Sequence, residues 1–274
     1  LIIWLQGIWL PLHGYDFEEA PLWAGIYMLP LTIGMLLAGP TSGYLSDRYG
    51  ARPFATGGML AAAASFGALM LLPIDFSFPV FAAILFVTGV SMGMFASPNR
   101  AAVMNSLPRR DRGAGGGMNQ TFQNSAQVLS IGIFFTLLIV GLASALPGSL
   151  QHGLEAHGVG DAAAHHAGQT PPISVLFAAF LGENPIEHLV GGGALEAVGP
   201  HARAVLEGHA FFPHLIAGPF SDGLDTAFSF AIVACLVAAG ASLLRGGRYH
   251  HVEEPGNPQK QAQLQPELEG HHAS

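Results

Sequence analysis

The chain has 274 residues, 50% of them hydrophobic and only 10% charged, and its mean hydropathy is +0.43. A typical soluble domain carries roughly 25% charged residues, so the composition excludes an ordinary water-soluble fold and points to a membrane protein. The formal charge is -8, from 18 acidic and 10 basic residues, which leaves no basic face and excludes nucleic acid as a partner.

A bilayer core is crossed by about 20 mostly apolar helical residues. The chain opens on Leu1, Ile2, Ile3 and Trp4 with no initiator Met and no charged region ahead of the apolar stretch. No cleavable signal peptide is expected there, and the first helix, residues 1–12, reads as a truncated span. Full spans are predicted at residues 22–45, 54–72, 78–96, 115–146 and 224–244. Unpaired peptide groups cannot be left in hydrocarbon and no alternating barrel pattern is present, so the spans must be helical. The fold class is therefore an all-α integral membrane protein with six transmembrane helices.

Residues 147–223, between the fifth and sixth spans, mix His, Gly and Ala with an apolar stretch at residues 173–181. That stretch is too short to span and is expected to lie against the bilayer surface or the helix ends. Residues 246–274 are polar, contain Pro255, Pro258 and Pro266, and lack a periodic apolar face. They are predicted to be a disordered tail. The lone cysteine, Cys235, has no partner for a disulfide or a zinc site.

Every Lys and Arg except Arg203 falls into one of three clusters: Arg48 and Arg52; Arg100, Arg109, Arg110 and Arg112; Arg245, Arg248 and Lys260. Basic residues favour the cytoplasmic side. The expected organisation is thus five helices within residues 1–146, with cytoplasmic loops at 46–53 and 97–114. An extracytoplasmic segment at 147–223, a last span at 224–245 and a cytoplasmic tail at 246–274 follow, in the plasma membrane.

The first of these loops reads Gly43-Tyr44-Leu45-Ser46-Asp47-Arg48-Tyr49-Gly50-Ala51-Arg52-Pro53. Gly39 and Gly43 offer a small-xxx-small face for close helix approach. Gly50 permits a chain reversal and Pro53 suits the first turn of the next helix. Asp47 is expected at a helix N-terminus or paired with a nearby Arg, while Arg48 and Arg52 fix orientation. This G-x-L-x-D-R-x-G-x-R pattern resembles the signature loop of the major facilitator superfamily. The resemblance implies that Gly43, Asp47, Arg48, Gly50 and Arg52 form a conformational latch between access states.

Leu5-Gln6, Ala24-Gly25, Leu29-Pro30 and the run from Arg112 to Gln120 resemble the fourteen-span drug:proton antiporter branch of that family. That likeness implies that the chain is the C-terminal portion of an exporter. The earlier helices, with their own loop motif and proton-coupling acids, would lie in a missing N-terminal half.

The fifth span opens with Asn119, Gln120, Gln123, Asn124 and Gln127. At 100° per residue the last four fall within an arc of about 100° on one face. Polar groups in a span should face protein or water. Two readings stay open: a cavity lining that offers hydrogen bonds to substrate, favoured for Gln127, and interhelical bonds of about 0.6 to 2 kcal/mol each, favoured near the cytoplasmic end. The resemblance also brings the first helix, with Gln6, to the cavity.

No ionisable residue lies in the middle of a predicted span, and Asp75 and Asp225 are placed at outer helix ends; any coupling carboxylate is expected upstream. Eight histidines, among them His157, His209 and His214, lie in residues 147–223, at spacings that match no metal-ligand pattern. Small residues such as Gly34, Gly58, Gly89 and Gly93 are read as packing contacts, and Pro30 and Pro40 as sites of a bend. No P-loop, nucleophile motif, dinucleotide turn or carboxylate pair is present, so neither an enzyme nor a cofactor is expected.

The resulting expectation is a transporter, by resemblance one that exports small amphipathic or hydrophobic molecules against proton entry, as in drug resistance. Its partners would be that small-molecule substrate, protons and the lipid bilayer. The alternatives are an uptake carrier for sugars or organic acids and a membrane sensor or metal-handling protein built on the external histidines.

Overall fold

The computed structural model describes residues 1–16, 18–181 and 184–244. The tail expected at residues 246–274 lies outside the described residues, as does the third basic cluster. Regular structure among the described residues is entirely helical. In chain order it comprises α1 (Ile2–Leu12), α2 (Ala20–Tyr49), α3 (Ala51–Met70), α4 (Phe78–Asn105) and α5 (Arg112–Glu155). Five short helices follow: α6 (Asp161–Gly168), α7 (Pro172–Leu181), α8 (Ile186–Val190), α9 (Gly192–Glu196) and α10 (Pro200–Leu206). The last is α11 (Phe211–Leu244). Helices α2 to α5 and α11 are long and apolar enough to cross a membrane, and α1 is a shorter apolar helix. Leu36, Leu71, Val237 and Leu244 are exposed, as befits helices whose outer surface meets hydrocarbon.

Helix α4 is the centre of one group, packed against α2 on one side and α3 on the other; α11 then bridges α3 to α5. Glycines set the approach of α2 to α4. A methyl group at Gly34 would strike the carbonyl of Phe86, one at Gly89 the carbonyl of Leu31, and one at Gly93 the backbone of Met35 and Gly39. Contacts that advance together along both helices make α2 and α4 parallel, and Ser42 adds a hydrogen bond from its Oγ to the Gly93 carbonyl at 3.2 Å. Gly43 continues this seam against Ser97, whereas a Cβ at Gly39 would meet open space. The small-xxx-small face expected from Gly39 and Gly43 is therefore carried by Gly43 alone among the two side-chain directions.

Helices α5 and α11 cross where Gly141 meets Gly223, with Gly153 against Leu215 further along, so they run antiparallel. Leu138, Leu142, Leu146, Leu150 and Leu154 form the buried stripe of α5, and Phe212, Phe220 and Phe228 are buried on α11. At 1.5 Å per residue, the 44 residues of α5 and the 34 of α11 reach about 66 and 51 Å, well beyond a hydrocarbon core of about 30 Å. Their overhanging ends carry the short helices. Of the apolar stretch at 173–181, Val175, Leu176 and Ala179 are buried, and α7 packs on α1 and α5.

The helix limits agree with the sequence expectation at Leu12, Phe78 and Leu244 and differ at several other ends. Residues 46–53 are helical except for Gly50, α4 continues past residue 96 to Asn105, α5 passes residue 146 to Glu155, and α11 begins at Phe211, not at 224. Hydropathy marks where the lipid ends, while a helix continues as long as its peptide hydrogen bonds and packing persist. One consequence is that Asp225 lies well inside α11 and not at its end. Asp75, in contrast, sits in the turn between α3 and α4, 3.3 Å from His13 Nε2.

Candidate functional site

Two features come from the motif and amide residues: the turn at Gly50 and the first half of α5. Gly50 has φ +91° and ψ 154° and donates its N–H to the Ser46 carbonyl at 2.8 Å. That backbone region is essentially restricted to glycine, which lets one residue separate α2 from α3. Asp47 and Arg48 therefore occupy the last turn of α2, and Arg52 the first turn of α3. All three are exposed. Arg48 lies 5.8 Å from the Tyr49 ring centroid. Arg48 suits the negative end of the α2 dipole, but Asp47 stands where that dipole disfavours an acid, contrary to the helix N-terminus expected for it. Neither Asp47 nor Arg52 enters an ion pair with another described residue.

Because α2 and α4 are parallel, this turn shares one end of the bundle with the second basic cluster. There, Pro108 leads into a turn at Arg109–Asp111, and α5 starts at Arg112, whose Nε reaches the Leu107 carbonyl at 3.5 Å. The antiparallel course of α11 returns its last residue, Leu244, to the same end. The remaining turns, at Asp75 and between α5 and α11, lie at the far end.

The first half of α5 is laid open. Every residue from 121 to 130 is exposed, while the buried leucines begin only at Leu138. On this open stretch Gln120 Nε2 donates to Asn124 Oδ1 at 2.9 Å, and Arg100 Nη2 donates to Gln123 Oε1 at 3.2 Å. Gln127 is exposed one turn further along. The structure thus brings Gln120, Gln123, Asn124 and Gln127 to one face. Gln6 is not on that face: it is buried in the wide helical turn Leu5–Trp9 of α1. Helix α1 is held at its far end by Trp9, whose Nε1 donates to the Phe76 carbonyl at 3.0 Å, and by rings of Phe76, Tyr27 and His13 around the indole. Gly7 lets α7 approach, since a methyl there would meet the Ala179 carbonyl at 2.7 Å.

Sequence reasoning counted Arg100 only as a topological charge and missed its bond to the amide face. The signal was the Asn99-Arg100 pair in a stretch read as loop; once α4 is continued through it, Arg100 sits on a helix beside α5. Among the described residues no group of three His, Cys, Asp or Glu is placed to hold a metal ion.

Residues 1–131, from α1 into the open half of α5, match the family model of the Major Facilitator Superfamily. Over that stretch, just under half of its length, the chain is similar to members of that superfamily. The chain is similar to the methyl viologen resistance protein SmvA of Salmonella typhimurium, 32% identical over 139 residues that cover 50% of this chain and 27% of that protein. It is also similar to the riboflavin transporter RibZ of Clostridioides difficile, 29% identical over 115 residues covering 42% of this chain and 25% of that protein. An uncharacterized transporter of the superfamily from Bacillus subtilis, YhcA, is 29% identical over 116 residues, 42% of this chain and 22% of its own length. The chain matches about a quarter of the length of each of these relatives. No solved structure matches it. The family model and these relatives, named for transport or resistance, make the chain's likeness one to membrane transporters and not to enzymes.

Proposed function

We propose that the chain is the C-terminal portion of a proton-coupled exporter of small amphipathic or hydrophobic compounds in the plasma membrane, of the fourteen-span drug-antiporter branch. The observation that carries this reading is the open amide face of α5. Amides in a span are costly unless protein, water or ligand meets them, and here the chain's own helices leave Gln127 and its neighbours uncovered. A second helical bundle facing that surface would enclose a midplane cavity, with the two bundles rocking to alternate access. Gln120, Gln123, Asn124 and Gln127 would line it, and Gln6 would support the α1 wall. The superfamily match over residues 1–131 and the likeness to a methyl viologen resistance protein support export.

Asp47, Arg48 and Arg52 are proposed as the latch, with Gly43 and Gly50 placing them. An acid at the unfavourable end of a helix dipole lowers stability unless something compensates, which suits a carboxylate whose partner is met only in one access state. The basic turns, and with them the C-terminus, would face the cytoplasm. Proton coupling rests on the resemblance alone, its carboxylate being placed on the other bundle.

The test is efflux of methyl viologen from cells making the complete protein. Gln127→Leu is expected to lower efflux with normal membrane insertion; unchanged efflux of every substrate tried would remove α5 from the pathway. The likeness to a riboflavin transporter favours, as a second reading, a carrier for a planar vitamin-like solute. Riboflavin movement in the same cells, without any effect on methyl viologen, would select it.

A further inference from the structure

The overhanging ends of α5 and α11, far from the arginine-bearing turns, border with the end of α1 an open cavity of about 780 Å³. Cavities of roughly 300 to 1,000 Å³ are the usual size for small organic ligands. Leu12, Val205, Phe211 and Leu215 give it apolar walls, and three imidazoles reach it from different segments: His157 after α5, His209 before α11 and His214 in the first turns of α11. Gly153 contributes by having no side chain, since a methyl group there would strike Leu215.

Among the described residues, no Asp, Glu, Lys or Arg lines this cavity. Of the charges on the surrounding segments, Glu155 accepts a hydrogen bond from Gln151, Glu207 is paired with Arg203, Asp75 lies by His13, and Asp16, two residues past Gly14, is exposed. His157 Nδ1 is 2.8 Å from the Gly153 carbonyl, and its ring meets Phe211 edge-on at 4.8 Å. With Nδ1 donating to that carbonyl, a neutral ring presents only an acceptor at Nε2; the ring can donate there only as imidazolium. Donors that gain charge as they protonate, set among the described apolar walls, suit a ligand with an apolar body and an anionic head.

We propose that this cavity binds an amphipathic organic acid, its ring or chain against Leu12, Val205, Phe211 and Leu215 and its carboxylate among His157, His209 and His214. The site is separate from the amide face of α5, and its occupancy does not depend on the export reading.

The probe is 2-naphthoate, titrated by calorimetry at mildly acidic pH into the complete protein in lipid nanodiscs. Empty nanodiscs give the partition background, and 2-naphthylmethanol serves as neutral isostere. Naphthoate is expected to bind about tenfold more tightly than the alcohol, the ratio set by one charge-assisted hydrogen bond. The pair His209→Gln and His214→Gln should erase that preference while leaving the alcohol unaffected. Val205→Trp, at an exposed position, should fill the cavity and remove binding of both, with thermal melting unchanged. Equal affinity for acid and alcohol, no binding above background, or naphthoate binding that survives both sets of substitutions would overturn the proposal. Methyl viologen efflux is read separately, so the cavity and the export pathway fail independently.

Discussion

At Gly50 a single backbone conformation decides the shape of the motif turn. With φ at +91° and ψ at 154°, any side chain is strained, by about 1 to 3 kcal/mol. Gly50→Ala is therefore expected to lower the melting temperature of the purified protein, while an unshifted melt would show that the turn relaxes. Gly89 and Gly39 form an informative pair on the α2–α4 seam. Gly89→Ala puts a methyl against the Leu31 carbonyl, a backbone atom that cannot rotate away, whereas Gly39→Ala meets nothing within 4 Å. The first should reduce yield and thermal stability and the second should be tolerated; equal behaviour would contradict the seam. For the proposed latch, Asp47→Asn should lower transport in the complete protein with insertion intact, and unchanged efflux would discard it. The motif letters were legible in the sequence, but whether each residue faced a seam, a turn or solvent was not. Those directions depend on where a neighbouring helix passes.

Helix α5 changes character along its length. Its first half is open and amide-bearing, and its second half is buried by leucines at every fourth position. Leu150 and Leu154 lie in the overhang, where water replaces lipid and burial is driven by the hydrophobic effect. Leu150→Ala is expected to cost about 2 to 5 kcal/mol and to loosen α6, which packs on α5. Hydrogen exchange should register this as faster exchange across residues 161–168, with the α2–α4 seam unaffected; uniform acceleration would mean that the overhang has no independent stability. The amide stripe was visible from helical periodicity alone. The overhang was not, because apolar windows report lipid contact and the residues beyond them form helix with ordinary polarity.

For the molecule as a whole, the parallel course of α2 and α4 and the antiparallel course of α5 and α11 gather the arginine turns at one end. The His13–Asp75 contact and the histidine-lined cavity lie at the other. Single cysteines introduced at the exposed Tyr49 and Arg110, in a protein whose Cys235 is replaced by Ala, should react with an impermeant maleimide from the same face of the membrane. A cysteine at the exposed Glu18, before α2, should react from the opposite face. Opposed labelling of positions 49 and 110 would break the topology and the transporter mechanism with it.

The sequence by itself determined the membrane class, the number of apolar helices, the spacing of the basic turns and the loop motif. All of these follow from composition and local periodicity, which each segment carries alone. Only the tertiary structure decided that α2 pairs with α4 and not with its chain neighbour α3. It also decided that Gln6 is buried while the α5 amides stay open, that Arg100 meets Gln123, and that three distant histidines share one cavity. Those outcomes depend on which small residues let two backbones close to contact distance, a relation between segments far apart in the chain that no single stretch encodes.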